Sequence, residues 1–121
     1  MKGFEDLEVW QMAMSTAEAV YRLSDGLPKA ELYGLTSQLR RAAVSIAANI
    51  AEGYARSGRK EYLQFLSIAQ GSQAELTTLL LLVKRIYPEI EVEVVLESNA
   101  RVGRMLTRLR QSLTPSNTTS T

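Results

Sequence analysis

The sequence predicts an all-α protein: an antiparallel up-down-up-down four-helix bundle that assembles with copies of itself. Three observations carry that expectation. Apolar residues recur at steps of three and four along most of the chain. Turn signals at Gly26-Leu27-Pro28, Ser57-Gly58 and Pro88 cut the pattern into four segments. One segment, Leu35 to Gly53, has too little polar surface for a helix that is covered on one side only.

The first helix is expected from about Asp6 to Leu23, where Leu7, Trp10, Met14, Ala17 and Tyr21 follow helical spacing. Acidic Glu5, Asp6 and Glu8 sit near its start, where the helix dipole favours them. The run Ser24-Asp25-Gly26-Leu27-Pro28 ends it. A second helix is expected from near Lys29 to about Ala55 and a third from about Arg59 to Ile86. At roughly 27 residues each, they would span about 40 Å at 1.5 Å per residue. Pro88 stops the third, because it lacks an N–H and disfavours helical geometry in Tyr87. The fourth is expected from near Glu91 or Val92, with Val95, Asn99, Val102, Leu106, Leu109 and Leu113 in the 3-4 alternation of helices crossing at a small angle. Residues 1–113 thus form one bundle domain, and 114–121, without a large apolar side chain, a disordered tail. Connections this short place successive helices antiparallel.

The second helix carries the argument for assembly. Leu35, Leu39, Ala42, Ile46, Asn49 and Gly53 fall on one stripe, with Ala43 and Ile50 beside it. The opposite side holds Val44, Ala47, Ala48 and Ala51, relieved mainly by Arg40, Arg41, Ser45 and Glu52. A helix apolar almost all round is buried on more than one side, which a small bundle achieves with a neighbouring chain.

Composition narrows the chemistry. The 121 residues, 45% apolar and 22% charged, suit one ordinary domain able to bury a core without disulfides or metal. There is no cysteine and no histidine, which removes thiolate ligands, the commonest general base and the commonest transition-metal ligand. No phosphate-cradling Gly-x-x-x-x-Gly-Lys-Ser/Thr loop, metal-ligand cluster or nucleophile with a histidine base is present. No cofactor is implied, and a non-enzymatic role is expected; a carboxylate-only hydrolase using Glu52 or Glu75 is the residual enzyme reading. The longest apolar run, Leu79 to Val83, falls far short of the roughly 20 residues that cross a bilayer. The start, Met-Lys-Gly-Phe-Glu-Asp-Leu-Glu, lacks the features of a signal peptide, so a cytoplasmic location is expected.

Net charge is +1, yet its distribution alternates: −3 over residues 1–39, +4 over 40–60, −4 over 61–100 and +4 over 101–121. Basic blocks brought to one surface would attract phosphate despite the near-neutral total. Candidate nucleic-acid contacts are Arg56, Arg59 and Lys60, near stackable Tyr54 and Tyr62, and Arg101, Arg104 and Arg108 on the outward side of the fourth helix. The alternative is a solvated basic face, with Glu97 pairing Arg101 at i,i+4. Candidate interface residues are Arg40, Arg41, Ser45, Asn49, Glu52, Gly53, Gly71, Ser72 and Glu75. Asn49 and Asn99 lie in apolar seams, where amides fix register or oligomeric state or, alternatively, bind a ligand. Gly71 and Ser72, with the alanines of the second helix, allow close helix approach. Arg41, Ser45 and Glu52 share a side; Glu52 can pair Arg56, and Glu75 is a further counter-charge, for a structural network or a functional groove.

These segments resemble a known family. The carriers are Phe4-x-Asp6-Leu7-x-Val9-Trp10; then Leu35-x-x-Gln38-Leu39-Arg40-Arg41-Ala42-Ala43-x-Ser45-Ile46-x-x-Asn49-Ile50-Ala51-Glu52-Gly53; then Phe65-Leu66-x-Ile68-Ala69-x-Gly71-Ser72-x-x-Glu75-Leu76. Together they look like the four-helix-bundle family encoded within intervening sequences of bacterial 23S ribosomal RNA genes. The resemblance covers residues 4 to about 87, the fourth helix matching in pattern only. It implies a homopentameric barrel, and the number five comes from it alone. The family is similar in fold to the accessory protein of diversity-generating retroelements, a basic pentamer that works with a reverse transcriptase and nucleic acid. The leading expectation is therefore a homo-oligomeric module that binds RNA or DNA through phosphate contacts. The other is a scaffold that recruits a protein partner through apolar and acidic surfaces including Glu89, Glu91 and Glu93.

Overall fold

A computed structural model describes residues 3–115. A 3-10 turn at Phe4–Asp6 leads into α1 (Glu8–Ser24), and a second at Lys29–Glu31 precedes α2 (Leu35–Ala55). Then follow α3 (Arg59–Ile86) and α4 (Glu93–Leu113). The chain is all-α, with no strand among the described residues. Each long helix packs against two others, in the closed order α1, α2, α3, α4 and back to α1, and the diagonal pairs do not touch.

The core lies along the axis enclosed by the four helices. Val20, Leu39, Ile46, Ile50, Leu66 and Leu80 are among its fully buried side chains, drawn from three helices, and Val102 and Leu106 close it from α4. Each such residue contributes about 1.5–3 kcal/mol through burial. Cross-links fix the helices relative to one another. Gly53 of α2 abuts Phe65 and Tyr62 of α3, and the Ser45 and Ser72 hydroxyls meet at 2.8 Å further along. Between α3 and α4, Gln70 donates to the Gly103 carbonyl at 3.0 Å, Gln73 donates to the Asn99 carbonyl at 3.2 Å, and Lys84 pairs with Glu93. Between α1 and α4, the Thr16 and Ser98 hydroxyls are hydrogen-bonded.

The third helix coincides with the expected range. The second is shorter: it starts at Leu35 rather than near Lys29 and has 21 residues against the 28 of α3, so the two span about 31 and 42 Å. The cause is local. After Pro28 the chain makes one 3-10 turn, and Gly34 at φ −119°, ψ −113° breaks the helical path. The Glu31 carboxylate accepts the Leu35 N–H at 3.1 Å and the Tyr87 hydroxyl at 2.6 Å. It thereby caps α2 and ties its start to the end of α3. At α4, the Glu91 carboxylate accepts the Glu93 N–H at 3.2 Å, so helix begins just after the β-branched Val92. The expected tail falls from residue 116 onward outside the described residues.

Candidate functional site

Among the sequence-selected polar residues, the structure brings together those on α2 and α3. Asn49 donates from Nδ2 to the Ser45 carbonyl at 2.8 Å and to its hydroxyl at 3.0 Å, and Ser45 reaches Ser72 across the crossing. Asn49 therefore hydrogen-bonds within its own helix, and the link to α3 at this point is made by Ser45. Asn99 behaves differently: it is fully buried, and its Nδ2 donates to the Gln73 carbonyl and the Thr77 hydroxyl, both at 2.9 Å. It ties α4 to α3. Gly53 is required by the crossing, since a Cβ there would lie 2.6 Å from the Phe65 Cβ. At Gly71 an added Cβ would meet nothing within 4 Å.

The charged residues separate. Arg40 donates to the Ser24 hydroxyl at 2.8 Å and the Asp25 carboxylate at 2.9 Å, with its guanidinium 4.5 Å from the Tyr21 ring centre. It staples the start of α2 to the end of α1. Arg56 pairs with Glu52 at 3.2 Å and lies 4.9 Å from the Phe65 ring centre. Glu97 pairs with Arg104 at 3.2 Å, not with Arg101. Two full turns bring position i+7 back to nearly the same side of a helix, while Arg101 leans into a cleft against Glu8, Gln11 and Ser15 of α1. Arg41 and Glu75 line one cleft with Tyr33, Ser37, Gln38 and Ser45, yet neither forms an ion pair among the described residues.

The remaining cations gather at one end. Arg59 and Lys60 open α3, behind an N-cap Gly58 that supplies no side-chain cap. The last turns of α4 run beside the first turns of α3: Leu63 lines a cleft with Thr107, Arg110 and Gln111, and Arg110 donates to the Gln70 Oε1 at 3.1 Å. Arg108, exposed, and the half-buried Arg110, which was not among the residues expected from the sequence, belong to the same end. Arg59, Lys60, Arg101 and Arg108 have no ion-pair partner among the described residues. The nearby Tyr54 and Tyr62 rings meet edge to face at 5.8 Å. Burial raises the phenol pKa of Tyr62, with the neighbouring Tyr54 adding to it.

Outside the polar residues, an apolar groove of about 550 Å³ runs between α1 and α2, lined by Trp10, Met14, Tyr21, Val44, Ala48 and Ala51 among others. The alanine signal was legible in the sequence; the α1 wall was not, because Met14 and Tyr21 follow the same spacing as core residues. No described helix is long and apolar enough to cross a membrane.

The sequence profile of the 23S rRNA-intervening sequence protein family matches residues 5–108, from the first 3-10 turn through most of α4. The chain belongs to this family. Its four-helix structure agrees with the match, which also takes in the fourth helix that resembles the family in pattern only. No curated protein is significantly similar to it.

Proposed function

We propose that this member of the 23S rRNA-intervening sequence protein family is a non-enzymatic, cytoplasmic, homo-oligomeric module that binds RNA or DNA through its phosphates. The observation that carries the reading is the cluster of cations where α3 begins and α4 ends. Arg59 and Lys60 occupy the first turn of α3, where the positive end of the helix dipole opposes them by about 0.3–1 kcal/mol each. Helix stability does not account for them there. A phosphate does: the first-turn N–H groups of an uncapped helix already favour an anion, and Arg59 and Lys60 add exposed positive charge there, next to Glu61. Arg56 is held by Glu52 and Phe65 at the edge of this cluster. Arg101 and Arg104 extend it along α4.

Self-assembly is supported by exposed apolar side chains on two different sides of the bundle, along α1 and α2 and along α3. An up-down-up-down arrangement is supported by the cross-links, whose residue numbers fall on one helix as they rise on the next. Five copies are implied by the family resemblance. Assembly would repeat the cation cluster around a ring and raise its avidity without new contacts.

Fluorescence anisotropy with a structured RNA and a matched duplex DNA across a salt series tests the reading. Micromolar or tighter binding that weakens log-linearly with salt is expected, with a slope of about 0.9 per duplex phosphate neutralised. Absence of binding at low salt would overturn it and favour the protein-recruiting scaffold.

A further inference from the structure

Arg41 of α2 and Glu75 of α3 come level just beyond the Ser45–Ser72 contact, Arg41 one turn before Ser45 and Glu75 one turn after Ser72. Both are exposed and both line one polar cleft of about 540 Å³. They do not pair with each other or with any other charge among the described residues. Elsewhere on the bundle, arginine and carboxylate close on each other, as Arg40 does on Asp25 and Arg56 on Glu52. Here a guanidinium and a carboxylate stand on adjacent helices with room between them, in a volume within the roughly 300–1,000 Å³ of small-molecule sites. Gln38 adds an exposed amide to the same lining. Tyr33, just ahead of the break at Gly34, adds an aromatic ring that is 92% exposed and so free to stack on a planar ligand.

The three groups together specify a ligand. An ionised carboxylate only accepts hydrogen bonds and a guanidinium only donates them. A planar molecule that satisfies both must therefore offer paired donors to Glu75 and paired acceptors to Arg41. Among the nucleobases, guanine does so: N1–H and N2–H₂ donate from one edge, and O6 and N7 accept at the next. Adenine sets its N6–H₂ donor beside N7, where it would oppose the guanidinium. Cytosine offers the carboxylate a single amino group and uracil a single N–H.

We propose that this cleft binds a guanine base, with its N1–H and N2–H₂ on Glu75, its O6 and N7 on Arg41 and its ring against Tyr33. The base is unpaired, because the edge that meets Glu75 is the one used in Watson–Crick pairing. The site lies apart from the cation cluster: Arg59 and Glu75 are 16 positions apart on α3, about 24 Å along the helix. The cleft thus adds base recognition to the phosphate reading and does not depend on it.

Nucleosides test the proposal, because without a phosphate they gain nothing from the cation cluster. By isothermal titration calorimetry, guanosine is expected to bind about tenfold or more tightly than adenosine, cytidine or uridine. Inosine, which lacks the N2 amino group, should fall between. Glu75→Gln, which replaces one acceptor with a donor, should erase the preference for guanosine over inosine. Tyr33→Ala should weaken guanosine binding, and Tyr33→Phe should retain it, since stacking uses the ring and not the hydroxyl. Both positions are exposed, so helical circular dichroism should not change. Equal affinity for the four nucleosides, no heat with guanosine at millimolar concentration, or undiminished guanosine preference in Glu75→Gln would overturn the proposal. A single-stranded oligouridylate carrying one guanine then separates the sources of the base. Tighter binding than the all-uridine strand means that guanine is read within a strand, and equal binding means a free nucleoside or nucleotide; the guanine site stands in both. Absence of duplex binding at low salt with guanosine binding intact would overturn the phosphate reading alone.

Discussion

Single residues show where a side chain's spacing is legible and its role is not. Asn49 and Asn99 present the same pattern in sequence, an amide within an apolar seam. In the fold, one bonds its own helical turn and the other bridges two helices, because only Asn99 faces a second backbone. Replacing Asn99 with Ala removes its bonds to the Gln73 carbonyl and the Thr77 hydroxyl, while the Gln73 carbonyl keeps the Thr77 hydroxyl as a donor, and should cost about 0.5–1.5 kcal/mol per lost bond; the same change at Asn49 should cost less. Urea unfolding of the two variants checks the order. At Gly53, alanine should gain about 1 kcal/mol in helix propensity but lose about 1–3 kcal/mol by forcing Phe65 away. A lower unfolding midpoint for Gly53→Ala is therefore expected. Glu31 offers a pH test. Its carboxyl pKa is lowered by the Tyr87 hydroxyl and then by the Leu35 N–H, and that of Tyr87 is raised by the same bond. The contribution of Glu31 is thus complete above the ordinary carboxylate range and lost as pH falls through its lowered pKa. Glu31→Gln should accordingly be less stable than wild type near neutral pH, and the difference should shrink in acid, as read by thermal midpoints at several pH values.

At the scale of elements, the breaks at Gly58 and Pro88 were legible, whereas the one at Gly34 and the side-chain caps were not. Ser57-Gly58 and Pro88 bound α3 where the sequence places them, because both act on the backbone directly. The start of α2 was misplaced by six residues, since nothing in the local pattern reveals that Glu31 will cap Leu35 while bonding a tyrosine 56 positions away. The same limit affects the cations. Their exposure followed from spacing, but the partner chosen by Glu97, and the neighbourhood of Arg110 and Gln70, depend on how α4 lies against α3 and α1. At this scale the prediction concerns α3. Changing Arg59 and Lys60 together to Gln should weaken RNA or DNA binding at moderate salt by about tenfold or more and reduce the salt slope by about 1–2. Helix content should hold or rise, because the dipole no longer opposes them. Anisotropy and circular dichroism on the same sample separate the two effects.

For the whole molecule, the four-helix architecture was legible because each helix carries its own apolar period, and the family match agrees with it. The surplus of apolar surface was legible on α2, whose alanines lie on both sides of the helix. It was hidden on α1, where exposed Met14 and Tyr21 follow the same spacing as residues that face the core. That surplus is the reason for the central proposal, that this chain assembles with copies of itself. Sedimentation equilibrium of the wild-type protein over a range of micromolar concentrations measures it most directly. A single species at a fixed multiple of the chain mass is the predicted result, and a monomer throughout that range would contradict the account.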